Sequence, residues 1–249
     1  MAVVKYARLR LACDVLAWRF RDELTSIWPV VDQIPGWLRE PNAVAMYGAI
    51  RVEPPTVMVE IGSYLGRSTV FFGLCMKRLN PSGRVVAIDP HTGDRQQLEA
   101  LGADQLPSFE LFRQHCRAAG VEPWVDSRHC TSVEAAEGWS EPIDLLYVDG
   151  WHSYDAVLDD GRAWLPHLAD RGVVFFDDYK MYDDVRSAVD QLAAEGRFHL
   201  WGIIFGQAVG GRQPSPPNPV KRAIRASSPT LTVSPLRGSS SRGRRSGRG

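Results

Sequence analysis

Between Val57 and Val209 the chain alternates short, continuous apolar runs with longer stretches whose apolar residues recur every three or four positions. The runs Val57–Glu60, Arg84–Asp89, Trp124–Cys130, Ile143–Val148 and Val173–Phe176 have the length and β-branched or aromatic content of buried strands. The periodic stretches predict helices from just after Gly66 to about Arg78, over Phe109–Ala119, after Thr131–Ser132, over Tyr154–Leu168 and over Val185–Glu195. Asn80-Pro81-Ser82-Gly83 is a turn and Gly120 a helix stop. Strands separated by helices predict βαβ units, hence parallel neighbouring strands. Phe198–Trp201 and Ile203–Val209, split at Gly202, predict a closing antiparallel hairpin.

The N-terminal part is different. Residues 1 to about 50 mix basic, aromatic and aliphatic positions, which suggests one or two amphipathic helices broken near Pro29 and Pro35 and stopped by Glu53-Pro54-Pro55. An element placed before the first strand must cover the sheet or roof the site; simple packing is expected, with substrate recognition or a homodimer contact as alternatives. The expected organisation is a helical cap over 1–54, an α/β domain over 55–211 and a tail over 212–249. Pro90–Leu106 reads as a polar loop or short helix.

Charge sharpens the division. Nine of the 29 Lys and Arg residues fall between Arg212 and Gly249, where there is no acid, so residues 1–211 carry 20 bases against 29 acids. The Pro-, Ser-, Gly- and Arg-rich tail is expected to be disordered, because it lacks the apolar surface to offset its ordering entropy. Its arginines would suit an anionic surface, but the acidic body argues against a nucleic-acid partner. Hydrophobic residues make up 44% of the chain, yet no run approaches the roughly 18 to 20 residues of a membrane span, so a cytoplasmic protein is expected. The cysteines Cys13, Cys75, Cys116 and Cys130 are widely spaced and read as free thiols rather than a zinc site.

Candidate chemistry begins at the end of the first strand, Glu60-Ile61-Gly62-Ser63-Tyr64-Leu65-Gly66-Arg67-Ser68. Two glycines and a helix start can receive a nucleotide-like ligand over free backbone amides. Glu60 stands where a dinucleotide fingerprint has its first glycine, and a carboxylate there suits a cationic or amine-bearing ligand better than a pyrophosphate. E-x-G-x-x-x-G-x-S after an apolar strand resembles motif I of the class I S-adenosylmethionine (SAM) dependent methyltransferases. That resemblance implies a Rossmann-like α/β fold with a seven-stranded, mostly parallel sheet, and SAM binding through Glu60, Gly62, Ser63, Gly66 and Ser68. Asp89, at the carboxyl end of the second strand, is placed to take the ribose hydroxyls. The family sets adenine near the turn at Ser132, so Ser132 is either a ring contact or only a helix cap.

Asp149 ends the fourth strand, and Asp177 and Asp178 end the fifth. Parallel neighbours about 4.8 Å apart would converge these acids on one edge, where they repel unless protonated or neutralised by a cation. Hard oxygen ligands favour Mg²⁺, then Mn²⁺; a SAM-side or catalytic role for Asp149, with Asp177-Asp178 capping a helix, is the alternative. His152 faces the same crevice and suits a general base, or a structural residue bonded to the loop or to a metal-bound water. Asp149-Gly150-x-His152-Ser153-Tyr154 followed by Gly172-x4-Asp177-Asp178-Tyr179 is similar to the metal-dependent O-methyltransferases of sugars and glycosylated natural products, including macrolide deoxysugar and mycobacterial methylmannose polysaccharide enzymes. The resemblance spans about residues 55–209 and implies SAM, a divalent ion and a sugar or glycosylated acceptor. A catechol or nucleic-acid methyltransferase, or a SAM-binding module acting through its tail, are the rival readings.

Overall fold

The computed structural model describes residues 23–92 and 107–216. In chain order these form α1 (Trp28–Val31), α2 (Glu40–Val52), β1 (Val57–Ile61), α3 (Arg67–Leu79), β2 (Arg84–Ile88) and α4 (Ser108–Ala118). Then come β3 (Val125–Arg128), α5 (Ser132–Ala136), β4 (Ile143–Val148), α6 (Tyr154–Trp164), β5 (Leu168–Phe176), α7 (Asp183–Ala194), β6 (His199–Ile204) and β7 (Gln207–Gly211). The expected tail beyond residue 216, the N-terminal residues before 23 and the loop over 93–106 lie outside the described residues.

The strands form one sheet in the order β3-β2-β1-β4-β5-β7-β6. β1 pairs in parallel with β2 and β4, β4 with β5 and β2 with β3, while β5–β7 and β7–β6 are antiparallel. The expected seven-stranded sheet with a closing hairpin is the one observed. The strand order reverses between β1 and β4, and a crevice at the carboxyl ends of the strands is expected at such a switch point.

Each face of the sheet has its own core. On one face the N-terminal helices and α3 bring Met46, Tyr47, Ile50, Phe71 and Phe72 against Tyr147 and Phe175. On the other, Val157, Leu158 and Trp164 of α6 and Val185, Val189 and Leu192 of α7 meet Val59, Leu146 and Val174. β1 is buried along its whole length, as a central parallel strand sandwiched by helices must be.

Three boundaries moved. Trp124 closes a 3₁₀ turn begun by Glu122-Pro123, which takes it out of β3. Pro166 stops α6 at Trp164 and diverts the chain into a second 3₁₀ turn, so β5 starts at Leu168, five residues early. The hairpin turns at Phe205-Gly206, not at Gly202, which lies inside β6 beside a register shift. Both turn residues have positive φ, 49° and 98°, the combination that matches the twist of a two-residue hairpin.

Candidate functional site

The loop after β1 is built on close packing. At Gly62, φ is 88°, and a Cβ there would lie 2.1 Å from the carbonyl oxygen of Asp149. The glycine therefore lets the loops after β1 and β4 touch. Gly66, also at φ 88°, is the residue from which α3 starts, and a Cβ there would lie 3.1 Å from the Phe112 ring. Asp89 ties this loop to β2: its Oδ2 accepts from the Tyr64 amide at 2.8 Å and its Oδ1 from the His91 amide at 2.7 Å.

Glu60 takes a place different from the expected one. It is fully buried, accepts a short hydrogen bond from Thr69 Oγ1 and does not line the cavity. Burial, only partly offset by hydrogen bonds from Ser68 and Thr69, pushes its carboxyl up to about 7. It braces the start of α3 from beneath. Strand alternation explains this: Gly62, two residues on, has left the pleat, whereas Glu60 still points into the packed layer.

On the β4–β5 side the acids converge as expected, but only two of them meet the cavity. Asp149, His152 and Asp178 offer ligand atoms all within 4.8 Å of one another. His152 Nε2 lies 3.2 Å from Asp178 Oδ2 without a linear hydrogen bond, and its ring stacks on Tyr182 at 4.4 Å and 9°. Asp177, expected beside Asp149 and Asp178 as a ligand, is turned inward. Its Oδ2 accepts from Tyr147 at 2.7 Å, and its Oδ1 from Asn42 Nδ2 at 3.2 Å and the Asp178 amide at 2.9 Å. The left-handed backbone of Asp178, φ 53°, sends the two neighbouring carboxylates in different directions.

Tyr147 also lies 3.0 Å from Asp149 Oδ2. One phenolic hydrogen cannot serve two ionised carboxylates, so the second contact needs another proton. Burial first, then the charges of Asp177 and Asp178, push Asp149 well above the usual carboxylate range. Burial raises Asp177 as well. Such a cluster takes up positive charge, as protons or as a cation.

Both halves open into one cavity of about 700 Å³, of the size that receives a cofactor together with a small substrate. Gly62, Ser63, Ser68, Asp89 and Ser132 line one end, and Asp149, His152 and Asp178 line the other. Gly66 is beneath the loop. Ser132 is not the cap of α5: Thr131 is, in a capping box with Glu134. Ser132 Oγ instead accepts from Trp164 Nε1 at 2.9 Å.

The N-terminal segment both covers the sheet and roofs the cavity. Arg67, the first residue of α3, donates to the carbonyls of Leu38 at 2.9 Å and Ile34 at 2.7 Å and pairs with Asp32 at 2.7 Å. Its guanidinium also lies 5.2 Å from the Trp28 ring centre. Held this way, residues 35–39 line the cavity. Of the five large hydrophobic residues exposed among the described ones, Trp37, Val133, Trp151 and Met181 all line it. An exposed apolar rim of this kind marks a binding groove.

Sequence reasoning missed Arg67, Tyr147, the buried Asp160, which also lines the cavity, and this rim. Two of them left a signal. Tyr147 is two residues from Asp149 and so shares its face of β4. Asp160 is four residues before Trp164, on the inner face of α6. The roles of Arg67 and the rim depend on segments distant in sequence and left none.

Residues 59–179 match the family described as "Methyltransferase domain". A protein of Sinorhizobium fredii, the uncharacterized protein y4gI, is 30% identical over 152 residues; the match covers 59% of this chain and 15% of that protein's length. Among solved structures, a provisionally assigned O-methyltransferase from Klebsiella pneumoniae superposes with a TM-score of 0.57 at 16% identity, over 74% of this chain and 89% of that one. The SAH-bound methyltransferase PaMTH1 of Podospora anserina gives 0.55 at 15%, over 77% and 88%. The Bacillus cereus O-methyltransferase in complex with SAH gives 0.54 at 14%, over 75% and 88%. Residues 59–179 are thus similar to a methyltransferase domain, and the chain has the Rossmann-like α/β fold of these methyltransferase structures. Among the described residues no helix is long and apolar enough to cross a membrane.

Proposed function

We propose that the protein is a SAM-dependent, divalent-metal-dependent O-methyltransferase acting on a hydroxyl of a sugar or glycosylated acceptor. The observation that carries this reading is the single cavity with a glycine loop and Asp89 at one end and Asp149, His152 and Asp178 at the other. The methyl of a sulfonium is already activated, so the protein's task is to hold donor and acceptor in line and to provide a deprotonated oxygen.

The amides of the glycine loop and the start of α3 receive the amino acid part of the donor, with Ser63 and Ser68 beside them, and Asp89 takes the ribose diol. A divalent ion fits the donor set of Asp149 and Asp178, because the raised Asp149 and the convergence of charge call for a cation there. When bound, the ion supplies Lewis acidity that lowers the pKa of the acceptor hydroxyl. Asp177 holds Tyr147 and, through it, Asp149. His152 takes the acceptor proton, its ring fixed by Tyr182. The exposed faces of Trp37 and Trp151 give the apolar side of a sugar ring somewhere to lie.

A second reading concerns His152 alone. Its Nε2 lies within the metal-competent group, and as a third ligand it would favour Mn²⁺ over Mg²⁺. Labelled SAM, offered with a panel of mono- and oligosaccharides and catechols, tests the proposal. Transfer should appear on a sugar hydroxyl, vanish in EDTA and return with Mg²⁺ or Mn²⁺. Full activity in EDTA would overturn the metal role, and transfer to catechols alone would overturn the sugar.

A further inference from the structure

We infer, on the methyl-transfer reading above, that Arg67 is a positioning residue for the acceptor: it clasps residues 32–38 so that Trp37 stands over the cavity, and acceptor binding depends on that clasp. Arg67 is the first residue of α3, and no acid stands in the first turn of that helix. A cation there faces the positive end of the helix dipole, so the local structure disfavours it. Its side chain is nonetheless only 13% exposed. What holds it comes from the N-terminal segment.

The guanidinium donates to residues 32–38 from all three of its nitrogens. Nε donates to the Leu38 carbonyl at 2.9 Å, Nη1 to the carbonyls of Ile34 at 2.7 Å and Asp32 at 3.3 Å, and Nη2 to Asp32 Oδ1 at 2.7 Å. A planar fork with five N–H donors can gather acceptors spread along a segment in a way that a compact ammonium cannot. The aliphatic stem meets the same segment at Gly36. A Cβ there would lie 3.2 Å from both Cβ and Cδ of Arg67, and the glycine's φ of 151° is one that other residues rarely adopt. Trp37 stands between Gly36 and Leu38. It is 57% exposed, lines the cavity and leans on Tyr64 of the glycine loop, with ring centres 5.5 Å apart at 32°. An indole this exposed gains little from burial, so the clasped backbone on either side decides where the ring stands. Because Arg67 also begins the helix that follows the glycine loop, both ends of the cavity share one anchor.

Steady-state kinetics with labelled SAM and the sugar or catechol that the wild-type chain methylates fastest test this, together with hydrogen exchange over residues 32–39. Arg67→Ala should raise the acceptor KM by about 10- to 100-fold, the range of lost hydrogen bonds to a charged group. Its kcat and SAH affinity should stay within about threefold of the wild type, and exchange over residues 32–39 should speed up. Arg67→Lys, which keeps the charge without the fork, should recover only part of the loss. The double variant Arg67→Ala/Trp37→Ala should match the KM of Trp37→Ala alone within about twofold, since a clasp that acts through Trp37 then has nothing left to position. Gly36→Ala presses on the same contact from the N-terminal side and should raise KM too, which keeps the test open if Arg67→Ala fails to fold. A wild-type KM in these single variants, a fall in kcat at unchanged KM, or effects that multiply in the double variant would overturn the inference. A wild-type chain that methylates no acceptor offered would instead remove the methyl-transfer reading, and the acceptor role of Arg67 with it.

Discussion

The two ends of the cavity solve their electrostatics in opposite ways. At the glycine-loop end of the cavity Asp89 has an amide on each oxygen, beside a loop whose backbone is packed closely at Gly62 and Gly66. At the end formed after β4 and β5, burial and the neighbouring carboxylates raise Asp149 and Asp177, which share a tyrosine hydrogen, while Asp178 faces a histidine. Asp89 has its charge met by amides as it stands; the acids after β4 and β5 carry a surplus of negative charge that a proton or cation completes. The difference suits a division of labour in which binding is prebuilt and reactivity is adjustable.

The sharpest way to break that comparison is His152→Ala. Removing a base should lower kcat by about 10²- to 10⁴-fold while SAH affinity and metal affinity stay nearly unchanged. If metal affinity falls instead, measured by Mn²⁺ titration, His152 is a ligand and the acceptor end has no separate base. Asp89→Ala comes next and should act on the opposite end. SAH should bind about 10- to 100-fold more weakly, from the lost ribose contacts and two orphaned amides, with the metal dependence of transfer intact. Unchanged SAH affinity would remove Asp89 from the donor site.

Glu60→Gln leaves the cavity untouched and probes stability rather than binding. A buried acid raised from 4.5 to about 7 favours its neutral form in the fold, so its contribution is fully present below pH 4.5 and is lost as pH rises through 7. Urea denaturation should show wild type and Glu60→Gln alike near pH 4. By pH 8 the variant should be more stable, by roughly 3 kcal/mol at most from the size of the shift. A pH-independent difference would mean that Glu60 is ionised throughout and is held by Ser68 and Thr69 alone.

Much of the fold was legible because central parallel strands are buried on both faces and read as unbroken apolar runs; β1, β2 and β4 fell within a residue of their expected bounds. The boundaries that moved did so at Pro123, Pro166 and Phe205-Gly206, where turn geometry overrode the hydrophobic pattern. At the site, strand ends told which residues reach the crevice edge but not which way they turn. Glu60 and Asp177 both reach that edge and both face inward.

The sequence by itself determined the alternation of strands and helices, the glycine loop and the gathering of acids after β4 and β5, because these follow from periodicity and strand polarity. Only the tertiary structure decided that Gly62 yields to the backbone of Asp149, that Arg67 draws residues 32–38 over the cavity, and that His152 rather than Asp177 stands with Asp149 and Asp178. Those choices are made by contacts between segments far apart in the chain, where packing and charge, not local pattern, set the direction of each side chain.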